Sequence, residues 1–190
     1  MNPPRKIGIY GGSFDPVHHG HLILAREAME SLGLDRMVFV PAGISPHKLD
    51  RPPVSPEIRL EMVEAAIAGE EKFLCDDCEV QRDGPSFAID TVRMMMARHP
   101  GAEMFFLLGE DNLATLHTWK DIETLRSLVR FVVLARGDGV GEPDFDFIER
   151  CVDISSTDIR NRIASGASVR YLVPESVCSL ISRHRLYRND

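Results

Sequence analysis

The sequence contains little that would indicate a membrane-spanning, secreted or fibrous protein. No apolar run approaches the roughly 18 residues that a transmembrane helix needs, and the start has no long apolar segment with a small-residue cleavage site. Of the 190 residues, four are cysteine and one is tryptophan. Cys75 and Cys78 have the spacing of a metal-binding pair, but no second pair matches them, so reduced thiols are expected. These features predict a cytoplasmic protein that needs no disulfide or structural metal.

Positive charge is also scarce. The chain has 22 lysine and arginine residues against 29 acidic residues, which gives a net charge of −7, and four of the basic residues are lysines. A nucleic-acid-binding protein usually carries a basic surface, so a nucleic-acid partner is not expected. A membrane partner is not expected either, since no apolar run is long enough to span a bilayer.

Short apolar patterns typical of strands alternate with helical patterns along the chain. The spacing predicts strands near residues 5–10, 37–40, 73–80, 104–108, 131–135 and 147–152, and helices near 20–32, 56–69, 86–98, 121–128, 156–164 and 174–187. Ser156 and Thr157 are predicted to cap the fifth helix. Continuous apolar strands that alternate with helices predict an α/β fold, with a parallel sheet covered on both faces.

In such sheets, ligands bind beyond the carboxyl ends of the strands, which directs attention to the loops 11–21, 41–48, 109–120 and 135–146. The first of these loops, residues 11–21, leaves a strand through two glycines and enters a helix at a histidine-rich stretch. A helix N-terminus binds phosphate well, because its N–H groups are unpaired and its dipole is positive. His18 and His21 lie three residues apart, so both imidazoles can reach one anion. The structural alternative is one core and one surface histidine.

Three common nucleotide or hydrolase motifs are missing. The first loop has no Gly-x-Gly-x-x-Gly, the chain has no Gly-Lys-Ser/Thr, and it has no Gly-x-Ser-x-Gly. A dinucleotide fingerprint, a P-loop and a serine nucleophile on a strand-to-helix elbow are therefore not expected.

Residues 12–21 read Gly-Ser-Phe-Asp-Pro-Val-His-His-Gly-His, which resembles the signature of the nucleotidyltransferase superfamily with the His-x-Gly-His motif. Residues 154–160, Ile-Ser-Ser-Thr-Asp-Ile-Arg, are similar to its second signature. Five further segments resemble bacterial nicotinate-nucleotide adenylyltransferase: residues 46–48, 85–87, 109–111, 118–119 and 168–174. The resemblance implies a Rossmann-like, doubly wound parallel sheet in a single domain over residues 1–190, with a small helical part at about 155–190.

The same resemblance implies that ATP and nicotinate mononucleotide react to give deamido-NAD and pyrophosphate. His18, His21, Lys48 and Arg160 would be the catalytic residues. ATP would be bound by Gly11, Gly12, Ser13, Phe14, Gly109, Asp111, Ser156 and Thr157. The acceptor would be bound by Trp119, Lys120, Ser86, Phe87, Ala88 and His47. Mg²⁺ would arrive on the ATP phosphates and keep several waters, with no dedicated protein metal site.

Two positions depart from the family pattern near the acceptor. Ala88 stands where a threonine is frequent, and Lys120 where an aromatic residue is frequent. Lys120 could supply a charge in place of the lost hydroxyl, so the choice between an acid and an amide acceptor stays open. Alternative functions are the same chemistry on nicotinamide mononucleotide or pantetheine phosphate, or a non-catalytic nucleotide-binding module. Whether the chain forms a homo-oligomer is also open.

Four residues in this assignment have a structural alternative. Lys48 could be a solvated loop lysine and Arg160 a surface residue of a helix. Asp111 could be a helix N-cap, and Trp119 could be a core side chain.

Overall fold

Strands and helices alternate along the chain in the computed structural model, which describes residues 3, 5–44, 53–135 and 145–189. The strands are β1 (Lys6–Gly12), β2 (Arg36–Pro41), β3 (Phe73–Cys75), β4 (Glu103–Gly109), β5 (Arg130–Ala135) and β6 (Asp146–Glu149). The helices are α1 (His19–Leu32), α2 (Pro56–Ile67), α3 (Ala88–Arg98), α4 (Ile122–Leu128), α5 (Ser156–Ala164) and α6 (Glu175–Arg183), with a 3₁₀ helix over Glu110–Thr118. Among the described residues, no helix combines the length and apolar content needed to cross a membrane.

The strands form one parallel sheet in the order β3-β2-β1-β4-β5-β6. This is the order of a doubly wound Rossmann-like sheet, so the predicted fold class is confirmed. Neighbouring strand residues belong to opposite faces: Ile7 and Ile9 pack with α3 and α4, whereas Tyr10 packs with α1 and α2. Both faces of the sheet are therefore buried, which explains why the strands are continuously apolar.

The strand order changes direction between β1 and β4, and this places the predicted loops together. Tyr10 pairs with Leu107 in the sheet, so the glycines that end β1 and the glycine that ends β4 leave the same edge side by side. A crevice opens at such a point because the connections that follow the two strands turn to opposite faces of the sheet. Predicted ATP-binding residues of both loops, Gly11, Gly12 and Gly109, therefore lie at one end of the sheet.

Several element boundaries differ from the sequence-based prediction. Only Phe73–Cys75 of the predicted 73–80 strand is extended, and α3 begins at Ala88 rather than at residue 86. The prediction that Ser156 and Thr157 cap α5 is wrong. The cap is Ser155, whose hydroxyl accepts from the Asp158 N–H at 3.1 Å. Any of three consecutive hydroxyl residues could cap this helix, and only the backbone conformation selects one.

Candidate active site

The two predicted histidines lie together at the N-terminus of α1. The Nδ1 atom of His18 accepts from the His21 N–H at 3.3 Å, and the Nδ1 of His21 accepts from the His18 N–H at 3.2 Å. Their rings stack with centroids 3.7 Å apart. A neutral imidazole that accepts at Nδ1 carries its proton on Nε2, so this capping box orients both rings and selects their tautomer. The prediction that both imidazoles lie on one side of the helix start is confirmed.

The ring of Phe14, a predicted ATP-binding residue, is buried among other rings. The residue is 2% exposed and packs edge-on against Tyr10 at 5.4 Å and against His21 at 5.1 Å. A Cβ on Gly12 would approach this ring to 3.0 Å, so a larger residue there would require the ring to shift by a few tenths of an ångström. The buried ring thus supports the turn, and ATP binding by Phe14 stays a prediction.

The second signature packs directly against the first. The Arg160 guanidinium donates to the Asp15 carbonyl at 2.8 Å and lies 3.9 Å from the Asp15 carboxylate. The Ser156 hydroxyl donates to the Pro16 carbonyl at 2.9 Å. The N-terminus of α5 is therefore tied to the turn that precedes α1. Arg160 also donates to the Thr157 hydroxyl at 3.2 Å, so Arg160 is held on two sides and is not a solvated surface residue.

Most of the remaining predicted residues line one cavity of about 330 Å³ beyond the carboxyl ends of β1 and β4. From the predicted ATP set it includes Gly11, Gly12, Ser13 and Asp111, and from the predicted acceptor set it includes Ser86, Phe87, Ala88, Trp119 and Lys120. The nearby Gly109 allows Asp111 to fold back, because a Cβ there would lie 2.6 Å from the Asp111 carboxylate. His47 and Lys48 lie outside the described residues.

Trp119 forms one wall of this cavity at the end of the 3₁₀ helix. Its ring packs edge-on against Phe106, with centroids 5.9 Å apart. The indole Nε1–H is buried and has no hydrogen-bond partner among the described residues. Because a buried donor usually finds an acceptor, this position suits a ligand that supplies one. Trp119 is thus both packed on the core and placed at the cavity.

Lys120, on the same wall, already has an acidic partner. Its ammonium lies 3.1 Å from the Asp90 carboxylate and 4.4 Å from the centroid of the Phe87 ring. The charge that was expected to meet the acceptor is therefore partly neutralised by Asp90. This reduces the electrostatic preference that Lys120 can give to an acidic acceptor.

Two functional candidates were missed by sequence reasoning. Glu79 lines the cavity at 7% exposure and accepts from the Thr91 hydroxyl at 2.6 Å. Burial raises the pKa of its carboxyl, against the opposing effect of the Thr91 and Ser86 hydroxyls. Arg59, on α2, is 1% exposed and donates to backbone carbonyls around the site. Neither residue belongs to the segments that carried the resemblance, and charged residues are by default expected on the surface.

A larger cavity of about 920 Å³ lies between α5, α6 and the connection joining them. Among the described residues, its lining includes none of the predicted site residues. Volume alone is a poor guide here, because the smaller cavity is the one at the crevice where ligands bind in this fold.

No group of three or more histidine, cysteine or acidic residues in the described part of the chain could hold a metal ion. Burial raises the pKa of the Cys75 and Cys78 thiols to about 12. Both thiols are therefore protonated at neutral pH in the metal-free protein.

Comparison with known proteins identifies the family of the chain. The family model described as cytidylyltransferase-like matches residues 9–162. A protein of Rubrobacter xylanophilus named "Probable nicotinate-nucleotide adenylyltransferase" is 43% identical and aligns over 97% of this chain and 93% of its own. A protein of the same name from Geobacillus thermodenitrificans is 42% identical over 96% of this chain and 86% of its own.

The fold is also similar to solved structures. The Plasmodium falciparum nicotinic acid mononucleotide adenylyltransferase complexed with NaAD has a TM-score of 0.81 at 20% identity and aligns over 96% of this chain and 97% of its own. At this level of identity the structural likeness supports the fold alone, whereas the family follows from the relatives in sequence. The chain therefore belongs to the cytidylyltransferase-like family and, within it, to the nicotinate-nucleotide adenylyltransferases.

Proposed function

We propose that this protein transfers the adenylyl group of ATP to nicotinate mononucleotide, giving deamido-NAD and pyrophosphate. One observation carries the proposal: the turn at residues 11–13 lines the cavity that contains Trp119 and leads to the His18–His21 capping box, and Arg160 is tied to the same connection through the Asp15 carbonyl. Hydrogen-bond donors and a basic side chain for phosphates thus lie on the connection that forms part of the cavity. That combination suits a dinucleotide product with phosphates in its middle and a ring at its end.

The reaction needs little proton transfer. The acceptor phosphate has a second pKa of about 6, so it is already a dianion near neutral pH. One of its oxygens forms a bond to the α-phosphorus of ATP while the bond from that phosphorus to the β-bridging oxygen breaks. Pyrophosphate leaves with the electron pair. The protein must hold the two phosphates in line, which can supply roughly 7–11 kcal/mol of the barrier reduction.

The second requirement is to stabilise the charge that develops on the phosphoryl oxygens. His18 and His21 supply Nε2–H donors whose orientation is fixed before substrate arrives, because each Nδ1 already accepts a backbone N–H. Donors that are oriented in advance stabilise a transition state without reorganisation. We assign His21 to the α-phosphate, Arg160 to the β- and γ-phosphates, and Lys48 to the departing pyrophosphate. The N–H groups of Gly12 and Ser13 would contact the nucleotide backbone.

The cavity beside the histidines would hold the nucleosides. We assign the adenosine ribose to Asp111 and the pyridine ring to Trp119, and the acceptor also to Ser86, Phe87 and Ala88, which line the same cavity. The Trp119 indole N–H, which has no partner among the described residues, would then donate to the acceptor. His47 would contribute from the loop after β2.

Mg²⁺ enters this scheme as part of the ATP substrate. The donors described at the phosphate side are imidazole N–H, guanidinium and backbone amide groups, which bind anionic oxygens rather than a metal ion. Mg²⁺ usually keeps several waters and is held largely by substrate phosphates. When bound it would neutralise phosphate charge, while the residues of the chain orient the triphosphate. We also place the reaction in the cytoplasm, where reduced thiols are the rule.

The test is pyrophosphate release from ATP with three acceptors assayed in parallel: nicotinate mononucleotide, nicotinamide mononucleotide and pantetheine phosphate. We expect the fastest release with nicotinate mononucleotide. His99→Ala, at the end of α3 remote from the cavity, serves as the matched histidine control and should behave as the native protein. Release that is fastest with pantetheine phosphate, or absent with all three, would contradict the proposal.

A further inference from the structure

Arg59 is a buried cation that bonds to backbone around the candidate site. Its Nε donates to the Val54 carbonyl at 2.8 Å and its Nη1 to the Ser13 carbonyl at 2.7 Å. Its Nη2 donates to the Ala42 carbonyl at 2.6 Å and to the Gly43 carbonyl at 3.1 Å. One guanidinium thus joins the turn after β1, the end of β2 and the residue before the cap of α2.

Such an arrangement is costly to build. Burial lowers the pKa of the Arg59 guanidinium, and the negative charge of Asp15 opposes that shift. Asp15 itself accepts from the Tyr187 hydroxyl at 2.8 Å and from the Val54 N–H at 3.3 Å. Replacing all partners of a buried ionic cluster by apolar residues is often neutral for stability, whereas removing one partner leaves the others uncompensated. Loss of Arg59 alone would leave backbone carbonyls without their donor, so its role must be measured on folded protein.

The carbonyls that Arg59 holds determine where the adjoining N–H groups point. In a trans peptide unit the C=O and the following N–H point in opposite directions. The Ala42 carbonyl points to Arg59, and the Gly43 N–H on the other side of that peptide unit donates to the Ser86 hydroxyl at 3.0 Å. Ser86 lines the cavity. The same geometry applies to the Ser13 carbonyl, which turns the Phe14 N–H away from Arg59.

We propose that Arg59 is a positioning residue for adenylyl transfer. It holds the Ser13 and Ala42 carbonyls and fixes the peptide unit whose Gly43 N–H donates to the Ser86 hydroxyl, and it thereby sets the positions of three residues that line the cavity, Ser13, Ala42 and Ser86. The proposal rests on the proposed function, because it assigns this cavity to the substrates. Arginine suits the task, since its planar fork donates in several fixed directions at once. A lysine ammonium is a single point and could not bond to carbonyls from all three segments.

The test compares Arg59→Met and Arg59→Lys with Arg26→Met, the matched control. Arg26 lies on α1, pairs with Glu70 and packs its guanidinium 5.0 Å from the Phe73 ring, away from the cavity. Urea unfolding first establishes that each variant is folded at the assay temperature. We expect kcat/KM to fall about 100-fold in Arg59→Met, as for a small misplacement of reacting groups. Arg59→Lys should recover part of this loss, and Arg26→Met should behave as the native protein.

A binding measurement separates this inference from the proposed function. ATP affinity, measured by titration calorimetry, needs no turnover, and we expect it to weaken about tenfold in both folded Arg59 variants. Native-like ATP affinity and kcat in a folded Arg59 variant would overturn the positioning role. A loss of activity in strict proportion to the unfolded fraction would overturn it equally. If Arg59→Met does not fold, Arg59→Lys decides the question by the same two measurements.

Discussion

His21 offers the sharpest separation of catalysis from structure, because its two ring nitrogens have different tasks. Its Nδ1 accepts the His18 N–H at 3.2 Å and so completes the capping box of α1. Its Nε2–H is the group assigned to the α-phosphate. Alanine removes both functions, whereas glutamine at this third helix position keeps a side-chain acceptor for the cap. His21→Ala and His21→Gln therefore form a matched pair.

The expected magnitudes follow from these contacts. Loss of a cap costs about 1 kcal/mol, which corresponds to a fall in Tm of about 2–4 °C for a chain of this size. Loss of an oriented donor to a developing phosphoryl charge should lower kcat by roughly 10²–10³, with little change in ATP affinity. We expect the kcat loss in both variants and the Tm loss only in His21→Ala.

The assay is pyrophosphate release under saturating ATP and nicotinate mononucleotide, with thermal unfolding measured on the same preparations. If His21→Gln turned over like the native protein while His21→Ala did not, the glutamine amide, which also carries an N–H donor, would suffice, and the prediction that the ring-fixed donor is needed would be wrong. Native turnover in both variants would remove His21 from the mechanism altogether.

Three further predictions concern the cavity. Nicotinate mononucleotide should quench Trp119 fluorescence and ATP alone should quench it much less; the reverse order would move Trp119 out of the acceptor site. Lys120→Ala should lower the preference for nicotinate over nicotinamide mononucleotide by about tenfold or less, since Asp90 already pairs with the ammonium at 3.1 Å. If the ratio of kcat/KM for the two acceptors is unchanged in this variant, another residue recognises the acid. Burial raises the pKa of Glu79 above its ordinary value of 4.5. The free energy of unfolding of the native protein should therefore fall relative to that of Glu79→Gln as pH rises from 4.5 through the folded-state pKa. If urea unfolding gives the two proteins the same pH dependence across that range, the shift is contradicted.

The first turn and the parallel sheet were predictable from the sequence, because each depends on the pattern of residues along the chain. Glycines followed by His18 and His21 predicted a strand, a turn and a helix N-terminus, and the rings are found stacked there. The strand and helix alternation predicted the parallel sheet, and its order then brings Arg160 to the Asp15 carbonyl. These inferences succeed because sheet topology and motif spacing restrict where chain segments can meet.

Contacts between distant residues of ordinary type were not predictable. Lys120 and Asp90 are 30 residues apart, and nothing local indicates that they pair. Arg59 follows a helix cap, where an arginine is by default a surface residue, yet it is buried because four carbonyls converge on it. The 3₁₀ helix over Glu110–Thr118 also escaped prediction, since short helices of this type have a weak apolar period.

The central claim is direct transfer of an adenylyl group from ATP to the phosphate of nicotinate mononucleotide. The most direct measurement uses acceptor labelled with oxygen-18 on its phosphate, followed by mass spectrometry of both products. The account predicts that every labelled oxygen is retained in deamido-NAD, one of them in the new bridge, and that pyrophosphate is unlabelled. Label in pyrophosphate, or formation of ADP in place of pyrophosphate, would contradict attack at the α-phosphorus.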